Sequence, residues 1–238
     1  MKKYFFRYYN HFLALALLFA FYCRPGADNN SRIQFIKGGT SIIHQGKVEP
    51  GKVGTLLQEG DIVSTAADGI MIISLKNNSA RLELQPNARM EIRHDNDQIR
   101  ELYLASGNAW TQVNKLTSQS RFYLKTPTTV AGVRGTKFYT FKMNDIFGTC
   151  FCEGKVEFQA PASGWNQQND RDYAVFTRDN KTVIITADEM KKAGIKQAGH
   201  NHSLLADSPL GGKNLMPPEE FSKYSELVNA KLTEKAKD

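Results

Sequence analysis

The chain predicts an all-β fold, a multi-strand β sandwich or β-coil, followed by a part-helical C-terminal extension. Three observations carry this expectation. Between Ile33 and Gln159 short strand-like runs recur every ~8–12 residues, separated by Gly, Asn, Asp and Pro clusters. Several runs alternate apolar and polar residues, the period of a strand with one face buried. Beyond Pro161 that pattern fades, and the chain closes on a proline-led amphipathic stretch.

The first residues are basic (Lys2, Lys3, Arg7) and lead into an apolar run, Leu13 to Phe21, that ends beside Cys23. A charged start followed by about 7–15 apolar residues is the pattern of a secretory signal, whereas a spanning helix needs about 20. A cysteine at the end of such a run resembles a bacterial lipoprotein signal, in which the cysteine carries lipid and becomes the mature N-terminus. Cys23 is accordingly the expected lipid attachment site, although Tyr22 stands where a small residue is usual. The rival reading is an uncleaved or conventionally cleaved signal. The expected organisation is 1–22 signal peptide, 23–32 lipid-anchor tether, 33–160 β domain, 161–216 loop-rich extension with a hairpin, and 217–238 C-terminal helix.

The expected strands are Ser41–His44, Asp61–Thr65, Ile70–Leu75, Ala80–Leu84, Arg89–Arg93, Ile99–Leu104, Trp110–Val113, Arg121–Lys125, Thr136–Lys142, Phe147–Glu153 and Lys155–Phe158. Leu82 and Leu84 oppose Arg81 and Glu83; Met90 and Ile92 oppose Arg89, Glu91 and Arg93; Phe122 and Leu124 oppose Arg121, Tyr123 and Lys125. Each set predicts a strand with one wet face. Ile70 to Ile73 is continuously apolar and predicts a central strand. Asn77-Asn78-Ser79 suits left-handed backbone between two strands. Residues 161–172 read as a loop, Tyr173–Thr177 and Thr182–Thr186 as a last hairpin, and Ala187–Ala193 as one or two helical turns stopped by Gly194. Pro217-Pro218-Glu219-Glu220 opens the final helix with acids where the dipole favours them, and Phe221, Tyr224, Leu227, Val228 and Leu232 form its apolar stripe.

Composition narrows the function. The chain has 238 residues and 41% hydrophobic content, ordinary for a globular protein. Its net charge of +7 falls to +4 once Lys2, Lys3 and Arg7 are set aside, and the remaining cations are dispersed. No stripe of the kind that binds nucleic acid is present. Three cysteines do not make a disulfide scaffold. Cys150 and Cys152 lie two apart on one strand face, with Cα atoms about 6.6 Å apart, near the limit for a disulfide.

Several ordered motifs stand between Gly38 and Gln159. They are Gly60-Asp61-Ile62-Val63-Ser64-Thr65, the strand–turn–strand run Ile70 to Pro86, and Leu102-Tyr103-Leu104-Ala105-Ser106-Gly107. Phe122 to Phe138 follows, with Thr126-Pro127 and Val133-Arg134-Gly135-Thr136, and Phe151-Cys152-Glu153-Gly154-Lys155-Val156 closes the series. In this order and spacing the segment resembles the FecR domain, the periplasmic part of ferric-citrate-type regulators. The resemblance implies a FecR-type β fold and a sensing or docking role in the cell envelope. In that family a cytoplasmic segment of many tens of residues precedes the membrane helix and grips a sigma factor. Here 22 residues precede Cys23, so no sigma-factor contact is expected. Thr126-Pro127 should mark a strand end, and Gly135 a bulge or positive φ. Arg134 is expected as a structural arginine on turn carbonyls, with ligand contact as the alternative.

The sharper chemical hypothesis is a metal site. Cys150 and Cys152 on one strand face, with His200 and His202 downstream, offer the two thiolates and two imidazoles that suit tetrahedral zinc or another transition metal. The alternative has the cysteines filling an apolar face and the histidines exposed in a loop. No hydrolase, metalloprotease or phosphate-loop motif is present, and the chain is not expected to be an enzyme. The leading expectation is a non-enzymatic cell-envelope lipoprotein, periplasm-facing or in the outer membrane, with no required cofactor. It would bind the membrane through its lipid and engage another envelope protein or the cell wall, serving as a scaffold or signal sensor. Its aromatic candidates are Trp110, Tyr103, Tyr123 and Tyr139. A metal-binding protein and an envelope enzyme are the alternatives.

Overall fold

A computed structural model describes residues 30–169, 173–195, 202–205, 208 and 218–234. Residues 1–22, Cys23 and His200 lie outside the described residues. The strands run β1 (Ser31–Lys37), β2 (Thr40–His44), β3 (Lys47–Pro50), β4 (Leu56–Leu57), β5 (Ile62–Thr65), β6 (Ile70–Ser74), β7 (Ala80–Leu84), β8 (Arg89–Asp95) and β9 (Ile99–Ser106). They continue as β10 (Ala109–Val113), β11 (Arg121–Lys125), β12 (Val130–Val133), β13 (Thr136–Met143), β14 (Ile146–Glu153), β15 (Val156–Ala160), β16 (Trp165–Asn169), β17 (Tyr173–Arg178) and β18 (Lys181–Thr186). Two helices follow, α1 (Ala187–Lys192) and α2 (Pro218–Glu234).

These strands form two nine-stranded sheets. Sheet A has the order β18-β17-β14-β13-β10-β7-β6-β1-β4, and sheet B the order β16-β15-β12-β11-β9-β8-β5-β2-β3. From β6 onward the chain winds between the sheets: β6 and β7 in A, β8 and β9 in B, β10 in A, β11 and β12 in B. The single strand β10 carries the chain across, so β9 and β11 become parallel neighbours while every other pair is antiparallel. Coil-like winding and sandwich layering are therefore one architecture here.

Alternation explains the layers. Leu82 and Leu84 of β7, Met90 and Ile92 of β8, Leu102 and Leu104 of β9, and Phe122 and Leu124 of β11 all enter one core between the sheets. Burying a side chain of this size stabilises the fold by about 1.5–3 kcal/mol. The continuous run of β6 is buried on both faces, Met71 and Ile73 in the inter-sheet core and Ile72 in a second cluster on the outer side of sheet A. That second cluster is closed by Met190 of α1 and by Tyr224, Val228 and Leu232 of α2. Those three residues are spaced at i, i+4, i+8, one stripe of a helix. The outer face of sheet B has no such cover among the described residues, and it carries ion pairs such as Lys125–Glu101 at 2.7 Å and Arg93–Glu91 at 3.1 Å.

The turns follow local chemistry. Asn77 and Asn78 take φ of 59° and 50° between β6 and β7. Thr126 ends β11, and its Oγ1 accepts from the N–H of Thr129 at 3.0 Å and Thr128 at 3.3 Å. Gly107 has a φ of 78° where the chain crosses to β10, and a Cβ there would lie 2.4 Å from the Ala88 Cα. Gly135 adopts a φ of 135° beside the bulge between Lys137 and Phe138.

Three expectations are corrected. Residues 161–172 do not form one loop: after the turn Pro161–Ser163, β16 pairs with β15 along its whole length. Asn and Gln dominate β16, so side-chain pattern could not announce it; backbone pairing holds it. The polar run read as a tether overlaps β1, whose Ser31 donates to Asp95 and accepts from the Lys76 N–H at 2.7 Å. Strands β1, β3, β4 and β12 were also absent from the pattern, being very short, two-sided or rich in small residues.

Candidate functional site

One cross-strand row dominates the outer face of sheet A. Register places Ile72, Glu83, Trp110, Tyr139, Cys150, Ala174 and Ile185 side by side on neighbouring strands. Every member is buried. Glu83 was expected to face water; instead it is 0% exposed. Residues 202–205 cross the row as a strap and supply its partners. Ser203 Oγ donates to Glu83 Oε2 at 2.5 Å, and the Leu204 N–H donates to Oε1 at 2.9 Å. A buried carboxylate is tolerated when its oxygens are hydrogen-bonded.

Gln85 continues the network. Its Oε1 accepts from Tyr139 Oη at 2.7 Å, and its Nε2 donates to the His202 carbonyl. The His202 ring lies flat on Tyr139, centroids 4.3 Å apart and 10° from parallel, and tilts against Trp110 at 5.8 Å. His202 is thus buried rather than exposed in a loop. Burial pushes the Tyr139 phenol well above its ordinary range, and the nearby Glu83 charge adds to this. It remains a proton donor to Gln85 throughout the physiological range.

Cys150 is buried. Its Sγ lies 3.6 Å from the Tyr224 Oη, which donates to Met190 Sδ at 3.0 Å. Tyr139 therefore has Cys150 as its neighbour on the adjoining strand and His202 stacked on its ring. Cys152 lies two positions on in β14, and His200 lies outside the described residues. Among the described residues no three His, Cys, Asp or Glu side chains converge as a metal group. No described helix is long and apolar enough to cross a membrane.

The aromatic candidates divide. Trp110 and Tyr139 are covered by the strap. Tyr103 is capped by the Arg93 guanidinium, 3.9 Å from its ring centroid. Tyr123 borders a cleft on the outer face of sheet B, where Arg134 is exposed and holds none of the expected turn carbonyls through its side chain among the described contacts. Sequence pattern missed the apolar end of the molecule. Val48 (67% exposed), Val53 (63%) and Leu56 (53%) lie on and between β3 and β4, the terminal strands of sheets B and A.

The architecture is that of an all-β module with one strapped face, one open face and an open edge. Residues 61–157 match the model of the FecR protein family. The match suggests a signal-sensing or regulatory module in the envelope, and FecR proteins are regulators rather than enzymes. Two crystal structures described as a "putative anti-sigma factor" from Parabacteroides distasonis ATCC 8503 are similar at 15% and 16% identity, each with a TM-score of 0.46. The similarity covers 56% of this chain and 62% and 63% of theirs, so this chain spans about three-fifths of their length. No curated protein is significantly similar to the chain.

Proposed function

We propose that the chain is a non-enzymatic cell-envelope lipoprotein, tethered through Cys23, whose FecR-like domain docks another envelope protein as a scaffold or signal-sensing module. The observation that carries the docking is the open edge. All four residues of β3 are exposed, and Val48 there joins Val53 and Leu56 as large apolar groups facing solvent. A terminal strand with free backbone groups is a template for strand addition. The Lys47–Glu49 ion pair at 2.7 Å and Pro50 restrict indiscriminate pairing on the same strand, which suits one specific partner.

Photo-crosslinking from Val48 and Leu56 in native membranes tests this. The expected result is one discrete adduct from both positions that disappears with Val48→Asp at unchanged melting temperature. Equal labelling in the wild type and the Val48→Asp variant would remove the edge as the docking surface.

A metal-binding reading through Cys150, Cys152, His200 and His202 has one observation in its favour, that Cys150 and His202 both adjoin Tyr139. Its test is metal content of the untagged, reduced chain. Near-stoichiometric zinc that disappears in the Cys150→Ser, Cys152→Ser double variant supports it; a metal-free wild type removes it.

A further inference from the structure

The outer face of sheet B carries a cluster of like charge. Phe122 pairs with Val133 and Val133 with Val156. Arg121, Arg134 and Lys155 are the chain neighbours of these three paired residues, and they line one cleft. Phe122, Val133 and Val156 are buried in the core, so these cations lie on the opposite, outward side. Like charges gathered on one face of a sheet repel one another. The nearby acid Glu101 is committed elsewhere, 2.7 Å from Lys125 and 3.9 Å from Arg93. One cleft thus gathers three cations.

The same three residues line a cleft of about 370 Å³. Its floor is Gly132, which lies between Tyr123 and Glu157 in register. A Cβ at Gly132 would sit 3.2 Å from Tyr123 Cε1, so the absent side chain is what leaves the cleft open. Arg121 is fixed at one end, its Nη1 donating to the carbonyls of Ser118 at 2.7 Å and Ser120 at 3.1 Å. The chemistry is asymmetric. Two guanidiniums and an ammonium form one rim, while Tyr123, Glu157 and Gln168 form the other side. The Glu157 Oε1 already accepts from Gln159 Nε2 at 3.2 Å, and it would repel a ligand that is anionic throughout.

We propose that this cleft binds the phosphate ester of a small polyol. Its phosphate would meet Arg121, Arg134 and Lys155, because arginine forks and an ammonium match a multiply charged tetrahedral anion. Its hydroxyls would reach Glu157 and Gln168, which supply acceptors and an amide donor. Glycerol phosphate has this chemistry, whether free or as the headgroup of phosphatidylglycerol.

Calorimetric titration of the full chain tests the assignment, with sn-glycerol 3-phosphate in one arm and monomeric dihexanoyl phosphatidylglycerol in the other. Saturable binding is expected in at least one arm. Binding of the first marks a soluble ester as sufficient; binding of the second alone marks the lipid headgroup. In either case Arg134→Gln should weaken it at least tenfold, Arg134→Lys should weaken it less, and the distant Lys37→Gln should leave it unchanged. Unphosphorylated glycerol should not bind. Because Arg134 is exposed, Arg134→Gln should leave the melting temperature unchanged. Absence of heat in both arms, or equal affinity in the wild type and Arg134→Gln, would overturn the proposal.

Discussion

Ser203 donates to the Glu83 carboxylate across 120 residues of chain, and this bond fastens the strap to the outer face of sheet A. Glu83 accepts a second bond from the Leu204 N–H, so both of its oxygens depend on the strap. Glu83→Gln replaces one acceptor with a donor facing a donor. Loss of a hydrogen bond to a buried charged group costs about 1.5–3 kcal/mol. A lower urea midpoint with unchanged slope is expected. An unchanged midpoint would mean that the strap contributes nothing to stability.

The cap of α1 is coupled to α2 through one carboxylate. Glu189 accepts from the Thr186 N–H at 2.8 Å in a capping box and pairs with Lys231 at 2.5 Å. Burial raises its pKa, but Lys231 and the Thr186 bonds outweigh this and hold it below its ordinary 4.5. The folded state therefore releases this proton more readily than the unfolded state. The stabilisation is present above pH 4.5 and is lost as pH falls through the depressed folded value. Glu189→Gln should cost about 1 kcal/mol at neutral pH and flatten the stability profile below pH 4.5. Parallel denaturation curves at several pH values provide the check.

Gly107 is held by two independent constraints, positive φ and backbone proximity to Ala88. Gly107→Ala keeps polarity and adds one methyl, yet it should destabilise by roughly 2–4 kcal/mol through strain and overpacking. Thermal unfolding measures this. A loss below about 1 kcal/mol would show that the β9–β10 crossing yields easily.

Membrane attachment is expected to depend on Cys23. Cys23→Ser should block lipid addition and eliminate labelling by a radioactive fatty acid in the producing cell. Undiminished labelling would transfer the anchor elsewhere and remove the lipoprotein reading.

Period-2 alternation made the fold class and the inter-sheet core legible in advance. Leu82, Leu84, Met90, Ile92, Phe122 and Leu124 declared their inward face because a strand exposes opposite sides at alternate residues. Proline, asparagine and glycine marked the breaks for equally local reasons, as at Thr126-Pro127 and Asn77-Asn78. The FecR motifs likewise belong to contiguous stretches of chain. The destination of the outward face is another matter. Glu83 and Arg93 both alternate with apolar residues, yet one is sealed beneath residues 202–205 and the other remains at the surface. That difference is set by segments remote in the chain, and no local pattern encodes it. Strand β16 escaped notice because a strand made of Asn and Gln is held by its neighbour's backbone. The gathering of Arg121, Arg134 and Lys155 around one cleft likewise comes from segments apart in the chain. Sequence alone determined the apolar inward face of each strand; tertiary structure decided which polar residues are buried and which meet one another, because alternation is a property of the local chain and juxtaposition a property of the assembled sheet.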